Sequence, residues 1–180
     1  MSYTISQDTE QRKLAVSLQH NSDISAIRLI EAKVNCKSAL DEKLHPLSFA
    51  AEFHPDAIER NQRTLSVITQ FSFKIISDNH KTEVIVLQCR MAAEYILAEG
   101  FEPSAEQINA FKEGPAIFNC WPYFREYVQS TVVRMNYPPP TIPFLWLEAK
   151  KSAVPELQPV TASRQSSETT KAARKPRRLK

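Results

Sequence analysis

Leu65, Val67, Phe71, Phe73 and Ile75 occupy one parity of a stretch whose other parity holds Ser66, Gln70, Ser72 and Lys74. A period of two buries one face and wets the other, which predicts a half-buried β-strand. Ser77-Asp78-Asn79-His80 follows with residues that tolerate turn geometry. Residues 82–90 (TEVIVLQCR) return as a second apolar run, so the pair is expected to form an antiparallel hairpin. Upstream, Leu47, Phe49, Ala51 and Phe53 alternate with Ser48, Ala50, Glu52 and His54, a strand with one aromatic face. Residues 55–63 read as a loop or short helical turn, and residues 37–46 as a polar connection. Residues 24–34 (ISAIRLIEAKV) are β-branched and apolar on both faces, which predicts a strand sandwiched between other elements. Residues 91–97 (MAAEYIL) fit strand and helix equally.

Helical spacing appears at both ends of this strand-rich middle. Residues 1–8 read as frayed, and residues 9–20 suit a short helix with Leu14 and Leu18 on one face. Ser104 can cap a helix whose third position, Gln107, completes a capping box, and Gly114-Pro115 stops it. A longer helix is expected to start at Trp121-Pro122, proline being tolerated in a first turn. Trp121, Phe124, Val128, Thr131/Val132 and Met135 form its core-facing stripe. Its expected end is Tyr137-Pro138, because a residue before proline is pushed out of helical geometry. Residues 141–148 (TIPFLWLE) are apolar and partly extended. Strands first and helices afterwards indicate an α+β fold, a four-stranded antiparallel sheet with a long helix packed on one face. The expected organisation is an N-terminal segment with a short helix (1–22), one domain (23–148) and a disordered tail (149–180).

Composition narrows the function. The 180 residues are 42% apolar, enough for a core, and no apolar run is long enough to span a membrane. The first thirty residues lack the apolar middle of a signal peptide, so the expectation is cytoplasmic, without membrane insertion. Only two glycines occur, which excludes the glycine-rich phosphate loops of nucleotide folds. Three cysteines in no zinc spacing read as buried or idle thiols. The net charge of +3 hides an asymmetry. Residues 151–180 carry eight Lys/Arg against Glu156 and Glu168, a charge of +6, which leaves −3 for residues 1–150.

No constellation points to catalysis. His20, His45, His54 and His80 sit at no ligand spacing, no G-x-S-x-G occurs, and no cysteine has a histidine near it in sequence. Neither an enzyme nor a metal or other cofactor is expected. Aromatic residues are the abundant chemistry instead. Trp121, Phe124 and Phe71 read as core. Tyr123 and Tyr127, on the second face of the long helix, are open between core and surface. Phe144 and Trp146 read as exposed or interfacial, since a triple proline holds them off the helix. The basic end KAARKPRRLK supports an alternative function, a nucleic-acid-associated or scaffold protein acting through its tail, although no aromatic residue interleaves the charges for base stacking.

Residues 118–145 (FNCWPYFREYVQSTVVRMNYPPPTIPFL) resemble the SecB chaperone family. Trp121, Pro122, Tyr123, Arg125 and Glu126 match the aromatic-Pro-Tyr-x-Arg-Glu start of the family's long helix. Arg134, Pro138 and Pro139 match its exit. The resemblance implies ATP-independent holding of non-native polypeptides by a cytoplasmic homotetramer, a dimer of dimers. It implies apolar client grooves, here assigned to Leu47, Phe49, Phe53, Tyr123, Tyr127, Ile142, Phe144 and Trp146. Clients would be unfolded chains, preproteins in transport or an aggregation-prone antitoxin. The departures argue against docking of the export ATPase. Lys74 and Arg90 stand on the third and fourth strands, Glu83 is the only carboxylate of residues 82–90, and Ala92-Ala93-Glu94 replaces a Gly-Gly. No Asn-Phe-Asp helix start follows Pro143. The chain resembles the solitary and toxin–antitoxin-associated members more than the export-dedicated ones.

Overall fold

Four long strands make one antiparallel sheet in the order β2-β5-β4-β3. The computed structural model describes residues 3–37, 47–77 and 82–149. In chain order the elements are β1 (Tyr3–Gln7), α1 (Thr9–His20), β2 (Ser22–Cys36), β3 (Leu47–Arg60), β4 (Thr64–Ser77), β5 (Glu83–Leu97), α2 (Ala105–Lys112), α3 (Pro115–Arg134) and β6 (Leu145–Ala149). Residues 38–46 of the expected connection, 78–80 of the expected turn, His45, His80 and the basic tail beyond residue 149 lie outside the described residues.

The alternation of β4 is realised as read. Leu65, Val67, Phe71, Phe73 and Ile75 are buried, and β5 returns antiparallel with Ile85, Leu87, Cys89, Met91, Ala93 and Tyr95 on the same face. α3 packs across that face, over β4 and β5. Its stripe of Trp121, Phe124, Val128 and Val132 is buried, and Phe124 stacks on Phe71 with ring centroids 4.6 Å apart. The opposite face carries Gln70, Gln88 and Arg90, the last paired at 2.6 Å with Asp56.

Several elements differ from the sequence reading. Residues 91–97 continue β5 as strand, because residues 91–96 pair with both β2 and β4 and Leu97 pairs with Ser22 of β2. Residues 55–60 belong to β3 rather than to a loop. Pro55 is accommodated because β3 is an edge strand and the register shifts between Pro55 and Ala57. β2 is not sandwiched. It is the other edge, α3 packs chiefly over β4 and β5, and Ile24, Leu29 and Ile30 stand about half exposed.

The long helix begins at Pro115, six residues before Trp121, with Gly114 as its cap and Pro122 in its interior. Pro115 takes the first-turn role expected of Pro122. The helix ends before Tyr137-Pro138. Asn136 adopts φ 62°, and the amides of Asn136 and Tyr137 donate to the carbonyls of Val133 and Val132 at 2.9 and 3.2 Å. That is a Schellman stop, made by an asparagine that tolerates left-handed backbone.

Residues 3–7 are a strand rather than a frayed end. β1 pairs in parallel with β6, Ile5 opposite Leu147, in a separate two-stranded sheet. Three contacts tie β1 down. The Tyr3 ring lies 5.1 Å from Trp121, the Ala51 amide donates to the Tyr3 hydroxyl at 3.1 Å, and Gln7 Nε2 donates to the Ala110 carbonyl at 2.6 Å. Gly114 makes room for that last bond, since a Cβ there would sit 2.8 Å from the Gln7 side chain. Ile5 and Leu18 join the same core as the sheet.

Candidate functional site

α3 has three roles around its circumference. One stripe is core, and the flanks face two different grooves. Trp121, Pro122 and Arg125 follow an i, i+1, i+4 pattern and lie on one flank, while Tyr123, Glu126 and Tyr127 follow i, i+3, i+4 on the other. The motif that reads as a single string in sequence is therefore split between two surfaces.

The first groove, about 280 Å³, runs between α3 and β6. Phe118, Trp121, Pro122 and Arg125 form its helix wall, and Phe144, Leu145 and Trp146 the other. The segment leading into β6 is strapped to the helix: Trp121 Nε1 donates to the Pro143 carbonyl and Gln129 Nε2 to the Pro140 carbonyl, both at 3.1 Å. These bonds place Phe144 and Trp146 outward, 66% and 58% exposed, while Leu145 between them is buried. The alternation is that of a strand with one face on the core. The Arg125 guanidinium lies 4.5 Å from the centroid of the Phe144 ring.

The second groove, about 190 Å³, lies between the other flank of α3 and the sheet, with Ile27 and Leu29 of β2 and Met91 of β5 opposite Tyr123 and Tyr127. Tyr123 is 53% exposed and Tyr127 half-buried. A third groove, about 200 Å³, runs beside Pro138, Pro139 and Pro140, with Leu47, Phe49 and Ile75 as its other wall. Phe49 stacks on Phe73 at 5.8 Å, so its ring is anchored on one side only.

Six of the eight expected client-binding residues thus line grooves: Leu47 and Phe49, Tyr123 and Tyr127, Phe144 and Trp146. The structure does not bring them into one site. Phe53 is half-buried against the Trp121 ring, 5.8 Å away. Ile142 is fully buried, so it offers no surface to a client and instead anchors the strap. Trp121, expected as core, is buried and also forms groove wall. Sequence reasoning missed Phe118, Ile27, Leu29, Met91 and Pro140. Phe118 lies one turn before Trp121, a spacing visible in the sequence, but outside the helix expected from Trp121.

No cluster of metal-ligand side chains occurs among the described residues. Cys89 and Cys120 are buried, and desolvation pushes both thiols up to about 12, so neither is a thiolate near neutrality. Burial likewise raises Tyr95, whose hydroxyl accepts from Asn119 Nδ2 at 3.0 Å. No described helix is long and apolar enough to cross a membrane.

No protein-family model matches the chain, and no curated protein does. Fourteen chains of solved structures match. One is the Mycobacterium tuberculosis Rv1957 SecB-like chaperone in complex with a ChAD peptide from the Rv1956 HigA1 antitoxin. It is 23% identical, the TM-score is 0.66, and the match covers 74% of this chain and 96% of that one. A Streptococcus agalactiae protein of unknown function matches at 13% identity and a TM-score of 0.35 over 68% of this chain and 97% of its own, too distant a likeness to bear on the fold. The four-stranded antiparallel sheet with its long helix on one face is the SecB-like fold.

Proposed function

We propose that this protein is an ATP-independent holding chaperone of the cytoplasm that binds non-native or aggregation-prone polypeptides, an antitoxin among them, in apolar grooves. The observation that carries the reading is a set of three separate, open grooves, two on the flanks of α3 and one between β3 and the prolines after the helix, each with at least one aromatic side chain in its wall. A holdase has to accept many sequences, which calls for apolar area rather than dense polar readout. Covering such area yields about 25 cal/mol per Å² before ordering costs. Each groove is small, and several on one long client reinforce one another through effective concentration. The structural likeness to a SecB-like chaperone holding an antitoxin peptide supports the same reading.

A homotetramer is part of the proposal. Ile24, Leu29 and Ile30 on the β2 edge are apolar and about half exposed, as a surface awaiting another copy would be. The test is light scattering of a chemically unfolded, aggregation-prone client diluted into buffer without ATP. The full chain is expected to suppress scattering at near-stoichiometric tetramer. No suppression over a range of clients would leave the grooves without this function.

A further inference from the structure

The groove between α3 and β6 contains one charged side chain, Arg125, and no carboxylate among the described residues pairs with it. Its Nε is buried and makes no hydrogen bond, and it forms no ion pair among the described residues. The residues three and four positions away on the helix are Trp121, Pro122, Val128 and Gln129, none a carboxylate. The adjacent Glu126 turns to the other groove, beside Tyr123 and Tyr127. Stacking on Phe144 holds the guanidinium in place but satisfies none of its N–H donors. The buried Nε lacks a partner inside the protein, which is costly, and a carboxylate arriving with the ligand would accept from it and from the terminal nitrogens together.

Main-chain groups are also on offer. β6 pairs with β1 alone in its two-stranded sheet, so one edge of β6 is free among the described residues. An extended peptide can add there as a strand, its alternate side chains falling on one wall. Pro122, on the opposite wall, has no N–H to occupy the Phe118 carbonyl.

We infer that this groove selects an extended apolar segment bearing an Asp or Glu side chain, the carboxylate seated on Arg125 and the flanking apolar side chains against Phe118, Phe144 and Trp146. The inference rests on the holding function and adds a charge preference to it: acidic-apolar segments are favoured, and a lysine at the same point meets like charge.

The experiment uses the full chain and short, labelled, C-terminally amidated peptides of one apolar sequence with Asp, Asn or Lys at the centre, read by fluorescence anisotropy. The Asp peptide is expected to bind about tenfold tighter than the Asn peptide, about 1.4 kcal/mol, and the Lys peptide weaker still. The Asp-to-Asn ratio is expected to fall to near one in Arg125→Gln, to survive in reduced form in Arg125→Lys, and to shrink with added salt. Equal affinities for Asp and Asn on the unmodified chain, or an unchanged ratio in Arg125→Gln, would overturn the preference and leave the holding function standing. Failure of every peptide to bind would also overturn the preference, and the scattering assay with a long unfolded client decides the holding function separately.

Discussion

Replacing Trp146 by alanine separates a binding surface from a structural one. Trp146 is 58% exposed, and its neighbours Leu145 and Leu147 carry the packing of β6. Taking about 250 Å² for an indole, roughly 140 Å² stands open to a client. Covering that area at about 25 cal/mol per Å² is worth about 3.5 kcal/mol before costs. Immobilising one or two client side chains takes back about 0.5–1.5 kcal/mol each. The net loss for Trp146→Ala is therefore about 2 kcal/mol, roughly a 30-fold weaker Kd for a peptide bound in that groove. Phe144→Ala is expected to fall in the same range, with an added loss through Arg125, whose guanidinium it stacks on. Global stability should change by only about 0.5 kcal/mol in either variant, because the side chains are already in water. Anisotropy titration of a labelled unfolded client gives the affinity, and thermal melting gives the stability. Unchanged affinity in both variants with unchanged melting would refute the groove assignment. A large drop in melting temperature would show instead that these aromatics support the fold.

The core residues behave oppositely. Phe124→Ala removes a fully buried ring stacked on Phe71 and 5.4 Å from Trp121, and urea unfolding should show a loss of about 3–5 kcal/mol. Ile142→Ala should cost about 2–5 kcal/mol by the same measurement, which distinguishes an anchor from a groove residue. Asn136→Val forces a β-branched residue into φ 62° and should cost about 1–2 kcal/mol, whereas Asn136→Gly should be neutral or stabilising in the same unfolding assay. Native thiol titration with a disulfide reagent at pH 8 should count Cys36 alone, Cys89 and Cys120 appearing only in denaturant. Burial raises both hidden thiols from 9.0 to about 12, so the folded state holds their protons longer than the unfolded chain does. Their contribution to stability is complete below about pH 9 and is lost as pH rises from 9 toward 12, which a pH series of urea midpoints will follow.

Strong local periodicity made most of the fold legible. The odd-numbered apolar positions of β4, the capping box at Ser104 and Gln107, and the i, i+3, i+4 stripe of α3 each follow from neighbours in sequence. What was not legible depends on partners far away in the chain. β1 is five residues long and exists because β6 lies beside it, a pairing of Tyr3 with Leu145 that no local pattern announces. Residues 91–97 fit either element alone, and two strand neighbours decide the matter. The two-sided apolar pattern of residues 24–34 reads as a sandwiched strand, yet β2 is an edge, because half-exposed apolar residues such as Ile24, Leu29 and Ile30 look like core in a sequence. At the site, exposure of Phe144 and Trp146 followed from the prolines before them. Burial of Ile142 did not, since it depends on how the Trp121 and Gln129 side chains tie the strap to α3.

Site-specific photo-crosslinking of the full chain to an unfolded client tests the central claim most directly. Probes replacing Phe49, Tyr123 and Phe144 stand one in each groove, and probes replacing Gln70 and Gln88 stand on the charged face of the sheet. Crosslinks to the client from the three groove positions, with little from Gln70 and Gln88, are the predicted result. Capture of the client at Gln70 and Gln88 as strongly as in the grooves would contradict it.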